Sequence, residues 1–109
     1  MGKVIKPLWG WYEVLSEQPG HKIKYLHIEP GKCLSMQRHF KRSEHWFILE
    51  GEIMVDGKTL KKNDYVDIPV EKWHRPYNIS NRPCLVLEIQ FGEECIEEDI
   101  ERKEWKKLI

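Results

Sequence analysis

Residues 31–51 read GKCLSMQRHFKRSEHWFILEG, and three side chains in this stretch are candidate metal ligands: Gln37, His39 and Glu44. His74 is a fourth candidate and lies thirty residues after Glu44. Successive side chains of a strand point to opposite faces, so the i, i+2 spacing places Gln37 and His39 on one face. Glu44 begins the return strand, and His74 must arrive from a second hairpin. The stretch therefore predicts a metal held inside a small β-barrel by these four ligands.

The rest of the chain also has the pattern of short strands separated by turns. The Asp56-Gly57 pair is a strong hairpin signal, because both positions of such a turn require positive φ. Strands separated by roughly ten residues predict an all-β barrel or double-sheet sandwich. The predicted strands are residues 11–15, 22–28, 45–49, 52–55, 58–60, 65–68 and 84–91.

The length of the chain, 109 residues, suits one domain with one core. We expect residues 1–109 to form a single domain with its core at about residues 10–92. Residues 93–109 are predicted to form a C-terminal arm or helix, in which Trp105 and Leu108 lie on a charged background.

Composition excludes several classes of partner. Lys+Arg and Asp+Glu balance at 18 each, so the chain lacks the surplus of basic residues that is typical of nucleic-acid-binding proteins. No stretch approaches the roughly 20 apolar residues that cross a bilayer, and the first residues lack the apolar segment of a signal peptide. A cytoplasmic location is expected. The odd set of cysteines, Cys33, Cys84 and Cys95, has no zinc-ribbon spacing and is expected to be free thiols.

The spacing of residues 31–51 resembles the first motif of the cupin superfamily. That motif runs Gly, five residues, His, one residue, His, three or four residues, Glu, six residues, Gly. Gly31, His39, Glu44 and Gly51 stand at the matching positions, and Gln37 replaces the first His.

The later part of the chain is similar to the second cupin motif. Pro69, His74 and Asn78 follow its spacing, while Asn63 and Glu71 stand where that motif has glycines. Agreement over both motifs implies a single-domain cupin, an all-β double-stranded β-helix or jelly-roll barrel.

A narrower resemblance is to the cupin domain of type II mannose-6-phosphate isomerases, a domain commonly fused behind a mannose-1-phosphate guanylyltransferase. It is carried by residues 34–37, His39 and residues 42–46, and it covers about residues 7–102. One departure is Phe40-Lys41, where the family has a His-rich turn. The resemblance implies a metal-dependent isomerase that interconverts mannose 6-phosphate and fructose 6-phosphate, and by analogy a homodimer.

An isomerase of this kind needs a metal, a base and a cationic anchor for phosphate. One divalent ion is expected (zinc, manganese, iron, cobalt or nickel), since an oxygen and nitrogen donor set does not select among them. Lys24 and Glu88 are the candidate catalytic residues, with Glu13 as a third, and burial in an apolar strand would raise the pKa of Glu88. The candidates for the phosphate anchor are Arg42, Arg75 and Lys24, and Trp73 is a further candidate for substrate binding at the rim of the pocket.

Two other functions remain open at this point. The first is a non-catalytic cupin module that binds a sugar phosphate or sugar nucleotide, which fits the altered turn at Phe40-Lys41. The second is a metal-dependent oxygenase, against which Gln37 weighs because oxygen chemistry usually uses His-rich iron sites. His45 is expected on the outer face or at a dimer contact, because it follows Glu44 directly.

Overall fold

The computed structural model describes residues 3–103, and all regular elements in that range are β-strands, as predicted. Because these residues contain no helix, none of them forms a helical membrane span. The strands are β1 (Val4–Ile5), β2 (Gly10–Gln18), β3 (His21–Ile28), β4 (Met36–Arg38), β5 (Arg42–Glu50), β6 (Glu52–Val55), β7 (Lys58–Lys61), β8 (Tyr65–Ile68), β9 (Cys84–Gly92) and β10 (Glu101–Lys103).

Six strands form the main antiparallel sheet, in the order β1-β2-β3-β9-β5-β8. Two antiparallel pairs, β4 with β10 and β6 with β7, lie outside it. The segment after β8 links these pairs, because Gln37 and His74 exchange both backbone hydrogen bonds at 2.9 Å, and Met54 and Tyr77 do the same at 2.9 and 3.0 Å. The chain thus forms two layers around one interior.

The interior has an apolar half and a polar half on the same strands. In β3, β5 and β9 every second side chain is buried, which is the alternation of a strand with one face turned inward. The apolar half consists of Leu26, Ile28, Ile48, Ile53, Val55, Ile68, Cys84 and Val86. The polar half consists of Lys22, Lys24, Arg42, Glu44, Glu88, Gln90, His39 and His74, and Trp46 lies between the two.

Turn positions explain both the motif glycines and their replacements. Asp56 and Gly57 have φ values of 53° and 75°, which confirms the predicted hairpin between β6 and β7. Gly51 has a φ of 77°, and a Cβ there would lie 2.4 Å from the carbonyl oxygen of Pro83. Asn63 and Glu71 adopt φ values of 77° and 67°, so they take the left-handed conformation that glycine adopts at no cost.

The C-terminal segment is an extended arm over its described part. β10 pairs with β4 through Glu101 opposite Arg38 and Arg102 opposite Gln37. Residues 101–103 therefore pair as a strand, and residues 97–100 before them form a turn rather than a helix. Trp105 and Leu108 lie outside the described residues.

The three cysteines are free thiols, as predicted. Cys84 lies in the apolar half, and burial raises the pKa of its thiol to about 12. It therefore acts as a small apolar core residue.

Candidate metal centre and its cavity

Three of the four predicted ligands converge in the polar half. His39 follows β4, Glu44 lies in β5, and His74 lies in the segment after β8. The Nε2 atom of His39 is 3.1 Å from one oxygen of Glu44, and Nε2 of His74 is 3.6 Å from the other. One ligand atom from each residue lies within 4.8 Å of the other two, and all three side chains are buried. Two hairpins thus direct two imidazoles at one carboxylate.

Backbone carbonyls orient both imidazoles. Nδ1 of His39 lies 2.7 Å from the carbonyl oxygen of Asp99, and Nδ1 of His74 lies 3.0 Å from that of Lys72. A carbonyl only accepts hydrogen bonds, so Nδ1 must be the donor in each case. A neutral ring then presents the unprotonated Nε2 to Glu44, which is the arrangement found around bound metals.

The donor set fits a divalent cation. Two Nε2 lone pairs and a carboxylate facing one another repel unless a cation or a proton lies between them. Burial works against ionisation of Glu44, but in the metal-free protein the hydrogen bonds from a protonated His39 and from Glu88, together with the charge of Arg42, outweigh it and lower the pKa of Glu44, so it stays anionic. Burial also lowers the pKa of His74, which favours its neutral, ligating form. An ion with nitrogen and oxygen preference would satisfy all three groups.

Arg42 lies against the candidate ligands rather than at the cavity mouth. Its Nε donates to Glu44 at 3.0 Å, and its Nη1 donates to the carbonyl oxygen of Ile96 at 2.9 Å. Nη2 is 3.3 Å from Nε2 of His39. The Arg42 guanidinium, which was predicted to bind substrate, therefore hydrogen-bonds to protein groups and holds the Glu44 carboxylate in position.

Gln37 lies at the wall of the site. Its backbone bonds to His74, while its side-chain amide donates to the carbonyl oxygen of Ser35 at 3.3 Å. The side chain is half-buried and lines the same cavity as Glu44. Its role as a fourth ligand stays a prediction.

A cavity of about 600 Å³ opens onto this cluster. Its walls combine apolar and aromatic residues with the charged groups of the polar half, which is the usual character of a small-molecule site. The residues that line it are Ile5, Pro7, Leu8, Trp9, Tyr12, Lys24, Leu26, Leu34, Ser35, Gln37, Arg42, Glu44, Trp46, His74, Glu88, Glu97, Ile100 and Arg102.

Glu88 faces the cavity from β9. It pairs with Trp46 on β5, two residues along that strand from Glu44. The indole Nε1 of Trp46 donates to both carboxyl groups, at 3.1 Å to Glu88 and 3.2 Å to Glu44. The side-chain amide of Gln90 donates to the second oxygen of Glu88 at 3.2 Å. Burial, together with the negative charge of Glu44, raises the pKa of Glu88 to about 8. The predicted direction of this shift agrees with the structure.

Lys24 is held as a cation. Its Nζ donates to Glu97 at 3.0 Å and lies 4.4 Å from the centre of the Tyr12 ring. Burial works to lower the pKa of Lys24, but Glu88 and Glu97 outweigh it and raise the pKa above its ordinary value. A lysine in this state favours an electrostatic role over that of a general base. Glu13 is half-buried and does not line the cavity.

Two of the predicted substrate-binding residues, Trp73 and Arg75, do not line the cavity. Buried and half-buried residues alternate along 73–78, so the neighbours of buried His74 point away from it. The guanidinium of Arg38 lies 4.7 Å over the Trp73 ring, and that of Arg75 lies 5.9 Å over the Tyr77 ring. Neither side chain lies at this cavity, and their role in substrate binding stays a prediction.

His45 also points away from the cavity, as expected for the residue after Glu44. Its Nδ1 lies 2.6 Å from the carboxylate of Asp67, and its ring contacts Phe91 edge-on. The pair sits on the outer face of the main sheet.

Sequence reasoning missed the segment between β9 and β10. Asp99 orients His39 through its carbonyl, and its carboxylate accepts from the backbone N–H groups of Phe40 and Lys41 at 3.0 and 2.9 Å. Glu97 from the same segment reaches the cavity. The resemblance to the isomerase family extends over this segment, to about residue 102, but it assigned no role to these residues.

Comparison with known proteins relates the chain to a family. The family model described as mannose-6-phosphate isomerase C-terminal matches residues 2–105. The alginate biosynthesis protein AlgA of Pseudomonas fluorescens is 35% identical over 106 residues, which cover 94% of this chain and 22% of that protein. A mannose-1-phosphate guanylyltransferase of Klebsiella pneumoniae is 38% identical over 104 residues, 92% of this chain and 22% of that protein. The chain thus spans 22% of the length of these curated relatives.

The fold is shared with solved structures. A conserved protein with a double-stranded β-helix domain from Klebsiella pneumoniae superposes with a TM-score of 0.75 at 17% identity, covering 94% of this chain and 86% of that chain. At this identity the likeness concerns the fold alone. The cupin architecture expected from the motif spacings is confirmed.

Proposed function

The chain belongs to the mannose-6-phosphate isomerase C-terminal family of cupin domains, and we propose that its polar half interconverts mannose 6-phosphate and fructose 6-phosphate. The observation that carries this proposal is a second buried carboxyl group, that of Glu88, beside the candidate metal centre. Glu44 and Glu88 share the Trp46 indole as a donor inside one cavity. An aldose–ketose isomerisation requires those two functions side by side.

His39, Glu44 and His74 would hold the metal, with Gln37 beside them at the cavity wall. A bound divalent ion would act as a Lewis acid on the carbonyl and hydroxyl oxygens of the sugar. Arg42 keeps Glu44 ionised and in position, because it donates to that carboxylate from a buried guanidinium. The chain therefore supplies an oriented donor set without any reordering of these side chains.

Glu88 is the group proposed to move the proton between C1 and C2 of the sugar. Burial raises the pKa of Glu88 above its ordinary value, and a carboxyl group with a raised pKa takes up a proton at neutral pH more readily than an ordinary one. Trp46 and Gln90 each donate to one oxygen of Glu88, which fixes the orientation of the carboxyl group. Glu88 is thus both oriented and tuned for proton transfer.

Aromatic and apolar walls would position the carbon skeleton of the sugar. Trp9, Tyr12 and Trp46 line the cavity, as do Leu26 and Ile100. Such walls pack against the C–H faces of a sugar and exclude water, which prevents loss of the proton to solvent.

The proposal is tested by metal analysis of the purified protein followed by a coupled assay with mannose 6-phosphate. We expect about one divalent ion per chain, turnover that is lost on chelation, and recovery on addition of the metal. Glu94→Gln is the matched control, since Glu94 pairs with exposed Lys41 outside the cavity. A tightly bound metal without turnover would refute the isomerase and leave a binding module.

A non-catalytic module that binds a sugar phosphate or sugar nucleotide is the second candidate. The contacts of Arg42 with Glu44 and His39 favour it, because a guanidinium already balances part of the charge that a metal would balance. The two proposals differ in one result: binding of sugar phosphate without release of the isomeric product supports the module.

A further inference from the structure

We propose that Lys22 and Lys24 form the subsite that binds the phosphate group of the sugar, and that Glu97 occupies this subsite when no ligand is bound. The inference rests on the proposed function for the choice of ligand. It goes further by assigning the anionic end of the substrate to a pair of lysines on β3.

Two ammonium groups converge on a single carboxylate oxygen. Nζ of Lys22 and Nζ of Lys24 lie 3.2 and 3.0 Å from the same oxygen of Glu97. The two lysines are two residues apart on β3, so both side chains point into the interior. Paired cations at this spacing match a group that offers several anionic oxygens, as phosphate does.

The partners differ in burial. The side chains of Lys22 and Lys24 are 4% and 6% exposed, whereas that of Glu97 is 50% exposed. Buried ammonium groups need an anion beside them, since an unpaired buried charge is strongly unfavourable. Glu97 lies in a turn between β9 and β10 and is half-exposed, so its carboxylate can move into water when another anion takes its place beside the lysines. A ligand anion can therefore replace Glu97, while the lysines stay in place.

Lys22 has a second acidic neighbour, Glu17, whose carboxylate lies 3.5 Å from its Nζ. The Glu17 side chain is 66% exposed, so this acid, like Glu97, is far less buried than the lysine that it contacts. Lys24 and Glu97 line the cavity, and Lys22 joins them through the shared oxygen of Glu97.

The position of the lysine pair suits a sugar phosphate. Lys24 on β3 pairs with Glu88 on β9, and Glu88 pairs with Trp46 on β5. In the neighbouring row Lys22 pairs with Gln90, and Gln90 pairs with Glu44. Two strand spacings, about 10 Å of backbone separation, lie between the lysines and the strand that carries Glu44. A hexose 6-phosphate has its reacting carbons and its phosphate at opposite ends. The proposed proton-transfer residue Glu88 lies on the strand between the two ends.

The charges in the polar half also favour an anion. Lys22, Lys24 and Arg42 are cations there, opposed by Glu44 and Glu97, and a divalent ion would add further positive charge. A phosphate dianion in place of the single carboxylate of Glu97 would reduce that excess.

The test is calorimetric titration of the metal-loaded protein with mannose 6-phosphate, mannose and inorganic phosphate. Lys24→Met should weaken mannose 6-phosphate binding about ten- to a hundredfold, because a charge-assisted hydrogen bond is lost. It should leave the weaker binding of mannose unchanged. Glu97→Gln should tighten binding of both mannose 6-phosphate and inorganic phosphate several-fold, because the competing carboxylate is removed.

Glu97→Gln keeps the test decisive if Lys24→Met does not fold, since Glu97 is half-exposed. Glu94→Gln, on the same segment but outside the cavity, is the control and should bind like the parent protein. Unchanged or weaker phosphate binding by Glu97→Gln would overturn the inference, as would equal affinities of the parent protein for mannose and mannose 6-phosphate. Turnover that is insensitive to Lys24→Met refutes the subsite but not the isomerase. The expected affinity pattern without turnover refutes the isomerase but not the subsite.

Discussion

The two halves of the interior share the three strands β3, β9 and β5 and differ in the side chains that those strands turn inward. Neighbouring buried residues form rows across β3, β9 and β5. The apolar rows are Leu26–Val86–Ile48 and Ile28–Cys84, and the polar rows are Lys22–Gln90–Glu44 and Lys24–Glu88–Trp46. Within these rows the backbone is one antiparallel sheet, so the difference between them lies in the side chains, while His39 and His74 reach the polar half from segments outside that sheet.

The apolar half is therefore expected to contribute mainly to stability, and the polar half mainly to binding and chemistry. Burial of apolar side chains drives folding, whereas buried charges cost free energy unless each one is paired. In the polar half Arg42, Trp46 and Gln90 donate to the carboxyl groups of Glu44 and Glu88, and these contacts offset part of that cost. We therefore expect variants of the polar half to change chemistry, and variants of the apolar half to change stability.

The largest expected effect is on turnover in the polar half. Glu88→Gln keeps the size of the side chain but cannot take up a proton, so kcat for mannose 6-phosphate should fall by about 10²- to 10⁴-fold. The measurement is the coupled isomerase assay at saturating substrate, with metal content checked in parallel. Turnover within a factor of two or three of the parent protein would remove Glu88 from the mechanism.

The apolar half should respond in stability instead. Ile48→Ala removes a fully buried side chain from the row of Leu26 and Val86, which should cost about 2–5 kcal/mol of unfolding free energy. Urea unfolding followed by tryptophan fluorescence measures this loss. The metal affinity of the folded variant should stay close to that of the parent protein, and a large loss of metal affinity would contradict the division between the halves.

The two halves should also differ in how they change the pH dependence of the unfolding free energy, because within residues 3–103 only the polar half contains buried titratable groups with shifted pKa values near neutral pH. A carboxyl group whose pKa is raised on folding keeps its proton longer in the folded state, so its contribution to stability falls as pH rises from its ordinary value to about 8. His74, whose pKa is lowered by burial, has the opposite effect below its ordinary value. Between pH 7 and 8 the metal-free parent protein should therefore lose stability through Glu88.

The variant Glu88→Gln isolates this contribution. Its urea midpoint, measured with a chelator present, should vary less between pH 7 and 8 than that of the parent protein. Ile48→Ala is the control and should retain the slope of the parent protein, because its effect involves no proton. Parallel pH profiles for the parent and Glu88→Gln would show that burial does not raise the pKa of Glu88.

The smallest expected effects lie at turns outside both halves. Gly57→Ala places a Cβ at a φ of 75° and should cost about 1 kcal/mol, measured by urea unfolding. Glu71→Gly relieves the same kind of conformation at a φ of 67°, so it should be neutral or stabilising by up to about 1 kcal/mol. A clear destabilisation by Glu71→Gly would show that the Glu71 side chain contributes more than its backbone conformation costs.

Local patterns in the sequence predicted much of the fold and part of the site. The period of two in β3, β5 and β9 and the Asp56-Gly57 turn are local signals, so the strands could be located from them. His39, Glu44 and His74 could be recognised as candidate ligands because strand alternation and the intervals of the two motifs can both be read directly from the sequence.

Contacts between distant segments were not predictable in the same way. The carbonyl of Asp99 bonds to His39 across 60 residues, and Glu97 reaches Lys24 across 73. A backbone carbonyl has no sequence signature, and an acidic residue in a charged tail looks like a solvated one. The hydrogen bonds of Arg42 were equally hidden in the sequence, where this residue was a candidate for substrate binding. Its bond to the carbonyl of Ile96 joins segments that are far apart in the chain, and only the folded protein shows that it also bonds to Glu44.

The central claim is that the polar half holds one divalent ion through His39, Glu44 and His74. Its most direct test is calorimetric titration of zinc or manganese into the metal-free parent protein and into His74→Ala, with circular dichroism to confirm that both are folded. We predict one ion per chain for the parent protein and binding weakened at least about a hundredfold in the variant. Equal affinity in the two proteins, or no binding by the parent protein, would contradict the account.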